Sequence, residues 1–383
     1  MILKNCKIVL EDKIINNGYL EIKDQKIIKI SDTKISGDNE IDLKNKTVLP
    51  GFIDCHVHGG YGITFESANI NKYQEFAKNV AKEGITSYLL ATVAMSDENC
   101  VKLFPLFNEF LQNQQQKSAK CLGINMEGPF INEIKKGAHE VSLLRKPSIK
   151  DMEKYLKLSG NNIKVITYAP ELQDGEFTKF LIKNNIIPSC GHTNLYAVDW
   201  NKHYADGIRH ITHLFNAMNG VDHRNAGLVT SLLQQKGMVT ELITDGIHVQ
   251  KETMQLAYHA LGADNLVIIT DAMSAKGLPD GNYKLGNLDV VKKGMQVNLA
   301  GGAGSLAGSA ATYDHNVRTF IKTIDGLDLR ELIKMTSINF AKEIGIFDKT
   351  GSIAENKYAD LTILDENNNI YMTIVNGEIA FEK

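Results

Sequence analysis

The chain has 383 residues, 43% of them hydrophobic, and a net charge of only -3. That is enough apolar material for a large core, and too little charge of either sign to bind nucleic acid or a membrane surface through bulk electrostatics. No run approaches 18 apolar residues, and lysines interrupt the apolar part of the N-terminal segment. Neither a membrane span nor a secretory leader is therefore expected. Five scattered cysteines without a CxxC pair (Cys6, Cys55, Cys100, Cys121, Cys190) fit reduced thiols in a cytoplasmic protein.

In chain order, the first 47 residues read as short strands, with Lys7–Leu10, Tyr19–Ile22 and Lys26–Ile30 alternating apolar and polar positions around turn residues such as Asn17-Gly18 and Asp24-Gln25. From residue 48 the pattern changes to short apolar, β-branched runs separated by amphipathic helices. The predicted strands are Thr47–Asp54, Thr86–Ala91, Cys121–Met126, Val165–Tyr168, Ile186–Ser189, Ile208–Thr212, Val239–Thr244 and Leu266–Thr270. Runs apolar on both faces suit parallel strands covered on both sides. The helix predicted over 71–83 stripes Tyr73, Phe76, Ala77 and Val80 along one face, and Ser148 with Asp151 three residues later reads as the start of another. The final 25 residues return to strands, with Asn376-Gly377 a strong hairpin signal because both central residues of a type I′ turn need φ > 0.

The expected fold is α/β: a TIM-like (β/α)8 barrel over residues 48–347, with a small β-sandwich domain built from both chain ends, 1–47 and 348–383. Within that frame the polar residues fall in an ordered way. The first strand ends in Asp54-Cys55-His56-Val57-His58, the third in Glu127, the fifth in Gly191-His192, the sixth in Thr212-His213, the seventh in Asp245 to His248 and the eighth in Asp271. Barrel active sites are assembled at that C-terminal rim from the ends of different strands. His56 and His58, two apart on an extended segment, point the same way and can face one ion, with Cys55, next to His56, on the opposite face. Imidazole with carboxylate suits a divalent metal, zinc first, with iron, manganese or cobalt as alternatives. His203, His210, His223, His259 and His315 have no placement that argues for ligation, and Trp200 reads as helix packing.

These residues stand in recognisable segments. VLPGFIDCHVHGG (48–60) resembles the first-strand signature of the metal-dependent amidohydrolase superfamily, and residues 339–365 resemble its return to the small β-domain. NMEGPFI (125–131), KKGAH (135–139), CGHT (190–193), THLFNAM (212–218), TDGIHV (244–249) and ITDAM (269–273) together are similar to the N-acetylglucosamine-6-phosphate deacetylase family. The resemblance implies a hydrolase that removes the acetyl group from a small phosphorylated amino sugar. It implies a principal metal site of Glu127, His192 and His213, with His56 and His58 supporting a second ion in some members, so one or two ions per subunit. It makes Asp271 the group that takes a proton from the attacking water and returns it to the leaving amine. It assigns His139 to the substrate carbonyl, Asn216 and Ala217 to the sugar, and Arg224 with His248 to the 6-phosphate, and it suggests a homodimer. The Gly-rich stretch 300–309 lacks the ending of a phosphate-binding P-loop. It is expected to be the loop and helix start after the last barrel strand, with Leu306 lining the sugar pocket.

Such a site fits the difficulty of the reaction. An amide resists neutral water, and a divalent metal both lowers the pKa of water from 15.7 to about 7 and polarises the carbonyl oxygen. A cyclic amidase or a deaminase would carry a different group after the third strand than Glu127, and a non-catalytic scaffold would show eroded ligand positions; none of the expected positions is missing.

Overall fold

A computed structural model describes residues 1–302 and 304–383. Eight parallel strands form one sheet whose spatial order is their chain order: Phe52–Val57, Ile85–Thr92, Lys120–Glu127, Ile163–Tyr168, Ile187–Cys190, His210–Ile211, Val239–Ile243 and Leu266–Ile269. The first and last meet just beyond their ends, where Asp271 N–H donates to His56 O at 2.9 Å and His58 N–H to Ala272 O at 2.8 Å. Each strand is followed by a helix, and large aromatics such as Phe76, Tyr88, Phe104 and Trp200 fill the layer between strands and helices. The helix after the first strand, Ile70–Val80, buries Tyr73, Phe76, Ala77 and Val80, as its 3.6-residue spacing demands. Asn69 caps it, accepting from Lys72 N–H, and Ser148 caps Ile149–Leu158 by accepting from Asp151 N–H at 3.2 Å.

Both chain ends join one further eight-stranded sheet. Ile2–Val9 pairs with Glu40–Asp42 and with Ile14–Lys23, which pairs with Lys26–Ser31; Ile2–Val9 also pairs with Thr47–Pro50, and through it the sheet continues to Leu361–Leu364, Ile370–Val375 and Glu378–Glu382. The two edges of this sheet curl together, since Lys26 bridges Tyr358 and Gly377 lies against Gln25. The sandwich so formed encloses its own cluster of Leu3, Ile8, Leu20, Val48, Ile363 and Met372. Asn376 and Gly377 have φ of 49° and 74°, the left-handed pair that a type I′ hairpin needs.

Three expectations are corrected. The run Thr47–Asp54 is two strands: Thr47–Pro50 belongs to the sandwich, and the chain turns at Gly51 before the first barrel strand starts at Phe52. A side chain at Gly51 would collide with Thr86, its Cβ lying 2.1 Å from Oγ1. Asn17-Gly18 lies inside the strand Ile14–Lys23, where a register shift against Ile2–Val9 absorbs the positive φ of Asn17, so the pair is a bulge and not a turn. Finally, an antiparallel sheet of Gly281–Leu285, Leu288–Lys293 and Gln296–Leu299 intervenes after the eighth barrel strand. The Gly-rich stretch therefore follows this insert. Ala303 lies outside the described residues; among the rest Leu306 bridges Asn298, Ser309 bridges Ala272, and the helix starts only at Tyr313.

Candidate metal centre and active-site cleft

The barrel's C-terminal mouth holds a cleft lined by His58, Glu127, His139, His192, His213 and Asp271, with Asn216, Ala217, His248 and Leu306 around its wall. Glu127 is the hub. Its Oε1 lies 3.0 Å from His213 Nε2, 3.2 Å from His192 Nε2 and 3.4 Å from His56 Nε2. Its Oε2 lies 3.2 Å from His139 Nε2 and 3.4 Å from His58 Nε2. His56 and His58 present their Nε2 atoms 3.2 Å apart, and His58 Nε2 lies 3.1 Å from Asp271 Oδ1.

The backbone that delivers these groups is held in a costly shape. His192, His213 and Asp271 each follow their strand by two residues and have φ of 47°, 30° and 48°, a left-handed region that non-glycine residues seldom occupy. Strain of this kind persists where the surroundings enforce it. The loop after the third strand presses Gly137 against the His192 ring, where a Cβ would sit 3.0 Å from Cε1 and where φ is 54°.

Hydrogen bonds fix which nitrogen of each ring is free. His192 Nδ1 donates to Lys135 O at 2.8 Å and His56 Nδ1 to Glu241 Oε2 at 2.9 Å, so both rings turn Nε2 to the cleft. His139 is the reverse case. Its Nδ1 accepts Ala94 N–H at 3.1 Å, which puts the ring proton on Nε2 and makes His139 a donor toward the cleft. We therefore separate it from the ligand set, although its Nε2 lies close to Glu127 and His192.

The charges are mutually dependent. Burial pushes the Glu127 carboxyl up, but the imidazoles of His192 and His56 and the His139 hydrogen bond outweigh it and hold Glu127 well below the ordinary carboxylate range. Asp271 is likewise lowered, burial being overcome by His58 and His56. Burial opposes a charge on His56, yet Glu241 and Glu127 raise it to about 10, whereas burial takes His192 down to about 4. Four imidazole Nε2 atoms thus gather around the Glu127 carboxylate, and Asp271 lies against two of them. A divalent cation is the group such a donor set fits, since it satisfies all these lone pairs at once.

Every sequence-selected site residue except Arg224 reaches this mouth. His248 is fixed by Asp245, whose Oδ2 accepts from Nδ1 at 2.7 Å. Arg224 stands exposed on the loop after the sixth strand and does not line its own chain's cleft. Cys55 departs from the expected alternation. A register shift between Asp54 and Val57 turns it into the barrel interior, with Sγ 3.8 Å from Glu241 Oε1. Glu241 contacts the site from behind, through His56, and is backed in turn by His210 and Glu343; none of the three belongs to the residues the sequence singles out. The available signal is one acidic residue on an inward position of the strand Val239–Ile243, between Val239 and Ile243 on the same face.

A closed α/β barrel with histidine and carboxylate side chains at its strand ends has the construction of a cation-dependent hydrolase. The comparisons with known proteins agree: the chain belongs to the amidohydrolase family, whose model matches residues 47–380, and to the N-acetylglucosamine-6-phosphate deacetylase branch within it. It is 34% identical over 387 residues to an N-acetylglucosamine-6-phosphate deacetylase of Bacillus subtilis, covering all of this chain and 97% of the relative. The crystal structure of such a deacetylase from Thermotoga maritima matches with a TM-score of 0.89 at 32% identity over the full length of both chains. A mutant deacetylase from Mycobacterium smegmatis, in complex with N-acetyl-D-glucosamine-6-phosphate, matches with a TM-score of 0.92 at 26% identity over 99% of each chain.

Proposed function

We propose that this chain hydrolyses the acetamide of N-acetyl-D-glucosamine 6-phosphate to D-glucosamine 6-phosphate and acetate. The observation that carries the reading is the convergence of His56, His58, Glu127, His192, His213 and Asp271 in a cleft that also presents His139 and His248. Glu127, His192 and His213 would hold one divalent ion, and His56 with His58 a second, Glu127 lying between the two groups. Imidazole and carboxylate donors favour zinc, with iron, manganese and cobalt compatible. When bound, the ion activates water at neutral pH and polarises the acetyl carbonyl.

Asp271, held as a carboxylate, takes the proton of the attacking water. The C–N bond then breaks as the same carboxyl returns that proton to the amine nitrogen, which cannot leave as an anion. His139, with its proton fixed on Nε2, donates to the carbonyl oxygen as negative charge develops there. Asn216, Ala217 and Leu306 bound the sugar, and His248 Nε2 faces the 6-phosphate because Asp245 engages Nδ1. Arg224 suits the phosphate chemically but stands outside its own cleft, so we assign it to the cleft of a second subunit in a homodimer. The exposed apolar residues Ile134, Val198 and Val221 support that assembly. The segments that carry Ile134 and Val221 are linked by Lys135 Nζ donating to Met218 O, and Asn219 Nδ2 donates to Asn194 O, just before the helix Ala197–Ala205 that carries Val198. Among the described residues no helix is long and apolar enough to cross a membrane, which accords with a cytoplasmic enzyme.

Acetate release measured on N-acetylglucosamine 6-phosphate and on unphosphorylated N-acetylglucosamine tests this function. The phosphorylated sugar should turn over and the plain sugar far more slowly. No acetate from either would overturn the reading.

A further inference from the structure

Behind the histidines of the first strand lies a set of buried ionisable groups with no role in the chemistry above. Glu241 projects from the seventh strand into the barrel interior and has no solvent access. Its Oε2 accepts from His56 Nδ1 at 2.9 Å and from the His213 backbone N–H at 3.1 Å, and its Oε1 accepts from His210 Nε2 at 3.1 Å. His210 Nδ1 then donates to Glu343 Oε2 at 2.8 Å. Glu343 ends the short helix Asn339–Glu343, whose Phe340 and Ala341 pack against Ile53, Val165 and Ile269 and so plug the opposite mouth of the barrel. Its side chain is 13% exposed and lines a surface pocket at that mouth beside Lys164 and Arg209. Four hydrogen-bonded side chains therefore run through the barrel, from that far pocket to the ring nitrogen behind the cleft.

Barrel packing does not require this. The neighbouring interior residues, Ile53, Val165, Ile243 and Val267, are apolar, and a carboxylate among them costs several kcal/mol unless it is fully paired. The three N–H donors to Glu241 suggest its use. A carboxylate on Nδ1 leaves His56 only its Nε2 lone pair to offer, and makes that nitrogen more basic. The same carboxylate holds the N–H of His213, whose backbone is in the left-handed region. By contrast, the Nδ1 atoms of His58 and His213 have no partner among the described residues. Of the four histidines proposed to hold metal, His56 is thus the one whose Nδ1 is anchored by a carboxylate, His192 being held by a backbone carbonyl.

We propose that Glu241 is a positioning residue for the His56/His58 half of the metal centre, held in place by His210 and Glu343 from the opposite mouth of the barrel. This rests on the reading that these histidines hold a divalent ion. The test strips metal from the full chain and titrates Zn2+ in competition with a chromophoric chelator, for wild type, E241Q, E343Q and the double variant, with thermal unfolding alongside. Wild type should bind two ions. E241Q should weaken one of them by about 10–100-fold and spare the other. E343Q, a change at the partly exposed far end, should weaken the same ion several-fold, and the double variant should bind it no worse than E241Q alone. Variants that bind both ions as wild type does, losses that simply add in step with lost thermal stability, or a wild-type chain that binds one ion would each overturn the proposal. A wild-type chain that binds no divalent ion would overturn the metal reading itself.

Discussion

Asp271 illustrates how much a single residue is asked to do: its backbone is strained, its Oδ1 touches His58 Nε2 at 3.1 Å, and its carboxyl is kept ionised by His58 and His56. Asp271→Asn keeps the shape and removes the proton acceptor. Turnover should fall by about 10²-fold or more while the ion at Glu127, His192 and His213 is retained, as steady-state kinetics with metal analysis will show; unchanged turnover would remove Asp271 from its role. The sequence made these front-line residues legible because each closes a strand and stands in a short distinctive segment. Glu241, His210 and Glu343 were not legible in the same way. Their meaning lies in contacts 31 and 133 residues apart along the chain, between His210 and its two carboxylates, and no local pattern records those.

At the scale of elements, buried charge pins the strands to their neighbours. His210, on the sixth strand, lies between Glu241 of the seventh and Glu343 of the plug helix. Burial works against its charge, but Glu343 and Glu241 outweigh that and raise it from 6.5 to about 10. The folded chain therefore binds a proton more tightly than the unfolded one, so the stabilisation is complete below about pH 6.5 and fades as pH climbs toward 10. Urea unfolding of metal-stripped protein across that window should show wild type losing more stability than H210Q; parallel curves would contradict the charged pairing. Lys276, in the loop after Asp271, is fully buried with Nζ 2.9 Å from Glu83 Oε1, and Glu83 also accepts from Tyr61 OH and Tyr313 N–H. K276M strands the Glu83 charge and should cost about 3–5 kcal/mol of unfolding free energy, with K276M/E83Q costing less. The eight barrel strands are legible because parallel strands buried on both faces are largely apolar runs. The split at Gly51 is marked only by the Pro50-Gly51 pair, because apolar residues on both sides of it serve two different sheets. The insert of residues 281–299 leaves no comparable signal, because its strands are short and half exposed.

At the scale of the whole molecule, the two chain ends close one sandwich and leave the barrel mouth to the loops. Arg224 belongs to this scale, because its proposed partner is a phosphate in another subunit. R224A should depress kcat/KM for the phosphorylated sugar far more than for plain N-acetylglucosamine, and mixed dimers with a second, catalytically dead subunit should show whose cleft it serves. Equal losses on both sugars would dismiss it from the phosphate site. The central claim is that side chains from distant strands gather around a divalent ion that the reaction needs. The most direct test strips the protein with a chelator and follows acetate release from N-acetylglucosamine 6-phosphate before and after a divalent metal is restored. The account predicts silence without metal and recovery with it; full turnover by metal-free protein would contradict it.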